Sequence, residues 1–99
     1  MAAYAYEAIT IDDTTGGKGF TAANITRAST HYGSDVKGIL ITVETAPIRF
    51  TVDGTAPTSS IGHLLNIGDI YTCNGEDALK FRAIRSTSVS ASIKCTYNV

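Results

Sequence analysis

The sequence predicts an all-β fold, a small antiparallel β-sandwich or a jelly-roll-like barrel. Three observations lead there. Apolar residues recur at every second position in several short stretches, and Gly, Pro, Asn and Asp punctuate the chain between them. Helical periodicity is weak: around residues 20–29, Ile25 finds few apolar partners at helical spacing. At 99 residues and 43% hydrophobic, the chain reads as one domain, 1–99, able to bury a core.

The elements follow in chain order. In the first strand Tyr4, Tyr6 and Ala8 share one face and Glu7, Ile9 and Ile11 the other. "DDTTGGKG" is turn material. "FTAANITRAS" offers Thr21 as the N-cap of one helical turn, but is read as loop. "KGILITVET" is a continuous β-branched run with Ile39, Ile41 and Val43 on its more apolar face. Leu40 interrupts the other face, so this strand is expected to be central and covered on both sides. After Ala46-Pro47 comes "IRFTVDG", where Ile48, Phe50 and Val52 alternate with polar residues. Proline at a strand entrance costs no ladder bond and the link is short, so these two strands are expected to form an antiparallel hairpin. Val43 and Phe50 both belong to the predicted core.

A short strand follows over Ile70–Cys73, and another contains Leu79, Phe81 and Ala83 on one face. Ile84 breaks that alternation, which predicts a bulge or a change of sheet at Ala83-Ile84. The last strand is the clearest. Val89, Ala91, Ile93, Cys95, Tyr97 and Val99 alternate with Ser90, Ser92, Lys94, Thr96 and Asn98. Cys95 therefore points inward. Buried free thiols are the preferred reading of Cys73 and Cys95, with an internal disulfide as the alternative.

Charge narrows the partners. Eight Lys+Arg against nine Asp+Glu give a net charge of -1, and Lys80, Arg82 and Arg85 read as solvated edge charges. No basic patch exists to displace counterions from a nucleic acid, so no nucleic-acid partner is expected. No apolar run approaches a membrane span, and "MAAYAYEAITIDD" lacks the basic and apolar regions of a signal peptide. The chain is expected to be a soluble product of cytoplasmic synthesis. Only 17% of residues are charged, against roughly 25% in typical domains. Hydroxyls and small residues take their place, as on surfaces that meet other protein.

Catalytic readings were weighed against turn chemistry. "GGKGF" lacks the glycine spacing, the Lys-Ser/Thr pair and the helix of a phosphate loop. Asp12, Asp13, Asp53 and Asp69 lack calcium-loop spacing, and Asp before Thr or Gly bonds its own backbone in turns. Ser59 or Ser60, His63 and Asp69 supply the types of a hydrolytic triad, but "PTSSIGHLL" shows no nucleophile elbow. His31, the other histidine, and Cys73 do not complete a zinc set. No catalytic residue, metal or cofactor is expected.

One resemblance supplies a role. Val43-Glu44-Thr45-Ala46 leads into Ile48-Arg49-Phe50, followed by Asp53-Gly54-Thr55 and Pro57-Thr58. Gly62-His63, Gly68-Asp69 and Phe81-Arg82-Ala83-Ile84-Arg85 precede an alternating serine-rich last strand. Together they resemble the small β-sandwich structural proteins of tailed bacteriophages. The resemblance covers roughly the last two-thirds of the chain. It implies a non-enzymatic virion component assembled in the host cytoplasm, in the first place a capsid decoration or cement protein. The partner would be the major capsid protein or another virion protein, and the implied assembly is a homo-oligomer, with a trimer favoured. Neck, tail or fibre components are the alternative. A carbohydrate- or receptor-binding sandwich is another, with Tyr4, Tyr6, Tyr32, Tyr71 and Tyr97 as a sugar platform. Residues 1–11 either complete the chain's own sheet or form an intersubunit strand or arm, and Tyr4, Tyr6, Glu7, Arg82 and Arg85 are candidate interface residues.

Overall fold

The computed structural model describes residues 2–26 and 35–99; His31 and Tyr32 lie outside them. Among the described residues seven strands form two antiparallel sheets. The larger holds β1 (Ala3–Ile11), β7 (Ala91–Asn98), β2 (Gly38–Glu44) and β5 (Ile70–Asn74), in that order. The smaller holds β4 (His63–Leu65), β3 (Ile48–Thr51) and β6 (Arg82–Arg85). The two inner faces close on one core, which makes an open β-sandwich.

Alternation places the core. Ile39, Ile41 and Val43 of β2 and Ala91, Ile93, Cys95 and Tyr97 of β7 are all buried, against Ile48 and Phe50 of β3. An aromatic chain ties the layers together. Phe20 stacks on Phe81 with ring centroids 4.3 Å apart, Phe81 lies 5.6 Å from Phe50, and Phe20 meets Tyr97 edge-on at 6.1 Å. Such offset and edge-on pairs add to what area burial alone contributes.

The expected hairpin between β2 and β3 does not form. Both edges of β2 are occupied, by β7 and by β5, so no ladder position is left for β3. The link between them is instead a corner. Thr45 adopts a φ of 77°, and the Ala46 N–H donates to the Glu44 carbonyl at 2.9 Å, closing a three-residue turn. That tight turn carries the chain from one layer to the other, so Val43 and Ile48 both enter the core, from different sheets.

Other expectations are corrected in the same way. No register shift occurs at Ala83-Ile84: the β3–β6 ladder runs regularly from Ile48↔Arg85 to Thr51↔Arg82. Ile84 is an outward residue opposite Arg49, which is why it breaks the apolar alternation. The irregularity lies in β1, where the register shifts between Ala3 and Ala5. One extra residue turns every following side chain to the other face. Tyr4 therefore packs inward, edge-on to Tyr97 at 6.3 Å, while Tyr6 points outward; the two do not share a face. Leu79 belongs to the turn after a 3₁₀ turn at Gly75–Asp77 rather than to β6, and is exposed. Val89 precedes β7 and is exposed too. Leu40 faces solvent in part, so β2 is central in its sheet but covered on one side only.

Residues 22–26 form a helical turn where a loop was expected. Its anchor is distant in sequence: the Glu7 carboxylate accepts the Thr21 N–H at 3.2 Å and the Thr21 hydroxyl at 2.7 Å. Thr21, at the N-cap position that the sequence offered, turns its hydroxyl to this carboxylate. It is held by an acid on β1.

Candidate functional site

The most organised polar group in the molecule surrounds Glu7. This residue lies on the side of β1 that faces the core, opposite Cys95 in the ladder. Its Oε1 accepts the Tyr97 hydroxyl as well as the Thr21 N–H, and Oε2 accepts the Thr21 hydroxyl. Burial pushes the Glu7 carboxyl upward, but the donors from Tyr97, Thr21 and Asn24 outweigh it and hold the group below its ordinary 4.5. The arrangement clamps β1, β7 and the 22–26 turn together.

That clamp makes a pH prediction. A carboxyl whose folded value is depressed contributes stability above about pH 4.5, which fades as pH falls through the folded value. Asp12 and Asp53, held low by hydrogen bonds from Thr14 and Thr55, act in the same direction. On the alkaline side burial pushes the thiols up from 9.0, Cys73 to about 11 and Cys95 to about 12. Burial, and then the bond to Glu7, raises Tyr97 as well. These neutral forms contribute stability below about pH 9 that is lost as pH rises through the folded values. Denaturant midpoints are expected to be flat between those limits and to fall on both sides. Tyr97→Phe should move the acid limb to higher pH; an unmoved limb would mean that this hydroxyl does not hold Glu7.

The remaining candidates resolve into packing. Tyr4 is half-buried against the core, and Arg82 turns its guanidinium onto the Phe81 and Leu79 carbonyls at 2.7 and 3.3 Å. Arg85 reaches Asp13 at 3.2 Å, and its N–H donates to the Asp12 carbonyl at 3.0 Å. Of the five proposed interface residues the structure brings Tyr4 and Glu7 together around Tyr97, sets Arg82 and Arg85 along β6, and leaves Tyr6 64% exposed. Tyr97 is buried and Tyr71 lies against Phe50 at 4.6 Å. The described tyrosines do not assemble a sugar platform.

The triad types are also separated by function. His63 sits on β4 opposite Phe50, with ring centroids 5.4 Å apart. Asp69 accepts the Asn66 N–H at 2.7 Å, and Ser60 belongs to a turn whose N–H groups bond the Thr58 hydroxyl. Asp12 and Asp53 accept the N–H two residues on, each at 3.0 Å, as turn chemistry predicts. In the glycine loop, Lys18 bridges Ala83 through two backbone bonds of 2.8 Å and pairs with Asp12 at 3.5 Å. Gly17, at φ 80°, has no room for a Cβ, which would meet Pro57 at 2.9 Å and the Ala83 backbone at 3.1 Å. The loop is a strap over β6. Among the described residues no three His, Cys, Asp or Glu side chains come together to hold a metal, and no helix is long and apolar enough to cross a membrane. Both cysteines are free and buried, and the Cys73 thiol donates to the Asn74 carbonyl at 3.4 Å. A hollow of about 690 Å³ opens beside the helical turn, lined by Ile25, Val36, Lys37 and Gly75 among others. None of the candidate residues lines it.

What remains is surface, and here the structure adds residues that sequence reasoning missed. Ile61, Leu64, Ile67 and Ile70 are 50%, 44%, 60% and 68% exposed, all within the stretch that carries β4 and leads into β5. The one available signal was "SIGHLLNIGDI", four large apolar residues at three-residue intervals in a segment read as loop. The open face of the larger sheet is rich in hydroxyls. Thr96 and Thr72 stand in cross-strand register with Leu40 from either side, and Lys94 and Ile70 with Thr42.

Comparison with known proteins yields no match: no family model, no curated protein and no solved structure is similar to this chain.

Proposed function

We propose that this protein is a non-enzymatic structural component of a tailed-phage virion, in the first place a decoration or cement protein that docks on the major capsid protein. Two things support this reading. The first is the resemblance carried by residues 43–58, 62–69 and 81–85. The second, and the one that carries the docking argument, is the pair of large apolar side chains Ile67 and Ile70, 60% and 68% exposed where the chain enters β5. Large apolar side chains left exposed close together mark where soluble proteins meet other proteins. On a capsid such a patch would bury area between shell subunits and raise the barrier to their separation without chemistry.

The test uses particles that lack the protein. Added protein is expected to rebind at a fixed ratio and to slow heat disruption of the shell. The double variant Ile67→Asp, Ile70→Asp changes only exposed side chains and should fold normally. It should weaken rebinding at least tenfold, a loss of about 1.4 kcal/mol or more. Absence of binding by the unaltered protein, or full binding by the double variant, overturns the reading.

A further inference from the structure

The four sheet edges of this sandwich are not equivalent. β4 is three residues long, β5 five, and β6 four. The β6 edge is further closed by the Lys18 bridge and by the bond from the Arg85 N–H to Asp12. β1 is nine residues long and, among the described residues, pairs on one side only, with β7. The reciprocal bonds between Ala2 and Val99 fix the phase of that ladder, and with the register shift they direct the polar groups of Glu7, Ile9 and Ile11 toward β7. The N–H and C=O groups of Tyr6, Ala8 and Thr10 therefore point away from the sheet.

Proteins usually blunt such an edge with lysine, proline, a bulge or an inward charge. The β1 edge has a bulge only at its start, at Tyr4, and an inward charge only in Glu7, which is satisfied by its donors. Beyond the irregularity at Tyr4 the strand is regular from Ala5 to Ile11 and contains no proline. Its one charge, Glu7, is bound to Tyr97 and Thr21 beneath the sheet. The outward side chains, Tyr6, Ala8 and Thr10, are uncharged.

We propose that β1 pairs antiparallel with β1 of a second copy of this chain across a two-fold axis at Ala8, joining two four-stranded sheets into one of eight strands. The register follows from the strand. Ala8 is the midpoint of the regular segment Ala5–Ile11, so a two-fold there gives the longest ladder. It sets Tyr6 opposite Thr10 of the other copy, an aromatic and β-branched pair of the kind that stabilises cross-strand contacts. Centring on Glu7 would instead place two carboxylates in direct opposition. The Lys94 side chains, beside Ala8 on each β7, are then three strand spacings apart, roughly 14 Å, beyond the screening length at physiological salt. The contact is self-complementary, as a two-fold interface must be. It predicts a dimer, in contrast to the trimer that the resemblance implies, and stands independently of the virion reading.

Sedimentation of the purified full chain at micromolar concentration tests it. The expected mass is twice that of the chain. Ala8→Pro removes an outward N–H and leaves the β7 ladder intact, so it should return the protein to monomer with the far-UV spectrum unchanged. Should that variant fail to fold, Ala8→Cys decides. Residues opposed at a hydrogen-bonded two-fold pair lie about 5.5 Å apart between Cα atoms, within disulfide reach. Since Cys73 and Cys95 are buried, oxidation should link Ala8→Cys chains several-fold more than Tyr6→Cys chains. A monomer, a trimer, a dimer that Ala8→Pro leaves intact, or equal cross-linking of the two cysteine variants overturns the proposal.

Discussion

Deleting Ala2–Glu7 is expected to abolish cooperative unfolding. β1 is an integral strand of the larger sheet, in register with β7 from Ala3 to Ile11. The deletion removes both Ala2–Val99 bonds and the upper half of that ladder. It also removes Tyr4 from Tyr97 and takes the Glu7 acceptor from the Tyr97 hydroxyl and from Thr21. Tyr97, now buried, would lose its carboxylate acceptor and the ring that covers it. A lost partner for a buried polar group costs about 1–3 kcal/mol, and lost aromatic packing costs several more. Against the roughly 5–15 kcal/mol that holds a domain folded, the sum is close to the whole margin. Urea titration followed by far-UV circular dichroism should show a broad, sloping change in place of a transition. A sharp transition near the full-length midpoint would mean that residues 2–7 are dispensable to the fold.

Phe50→Ala should be the most damaging single core truncation on β3. The ring is buried between the sheets, in contact with Phe81, Tyr71 and His63. Its strand is the centre of the smaller sheet, with β4 and β6 on either side, so the walls of the vacated space cannot collapse freely. Aromatic-to-alanine changes in such packed cores cost about 3–5 kcal/mol. Chemical denaturation should show a lower midpoint with an unchanged slope. An unchanged midpoint would place Phe50 outside the cooperative core.

Much of the fold was legible locally. The inward residues of β2 and β7, the burial of both cysteines, and the aspartate turns follow from periodicity and turn chemistry within a few residues. Alternation also predicted that Val43 and Phe50 are core residues, and both are. The candidate site was less legible. Glu7 lies on the face opposite Tyr6, as alternation predicted, but Tyr4 does not share the face of Tyr6, because one irregular residue between Ala3 and Ala5 resets the phase of the strand. The exposed residues Ile61 to Ile70 look like core candidates in sequence. They are exposed because β4 is short and the link to β5 runs along the rim.

The sequence by itself determined that this is a β protein, which side chains of its long strands turn inward, and where its turns fall. Those properties depend on the pleat and on backbone bonds between residues two or three positions apart. Only the tertiary structure decided the pairing. β2 and β3 are consecutive and three residues apart, yet they lie in different sheets because β7 and β5, distant in sequence, claim both edges of β2. The helical turn at 22–26 likewise depends on Glu7, fourteen residues before its cap. A strand's face is set by its own residues, whereas its neighbours are set by competition among all strands for a limited number of open edges. Among the described residues that competition also leaves the long edge of β1 without a partner.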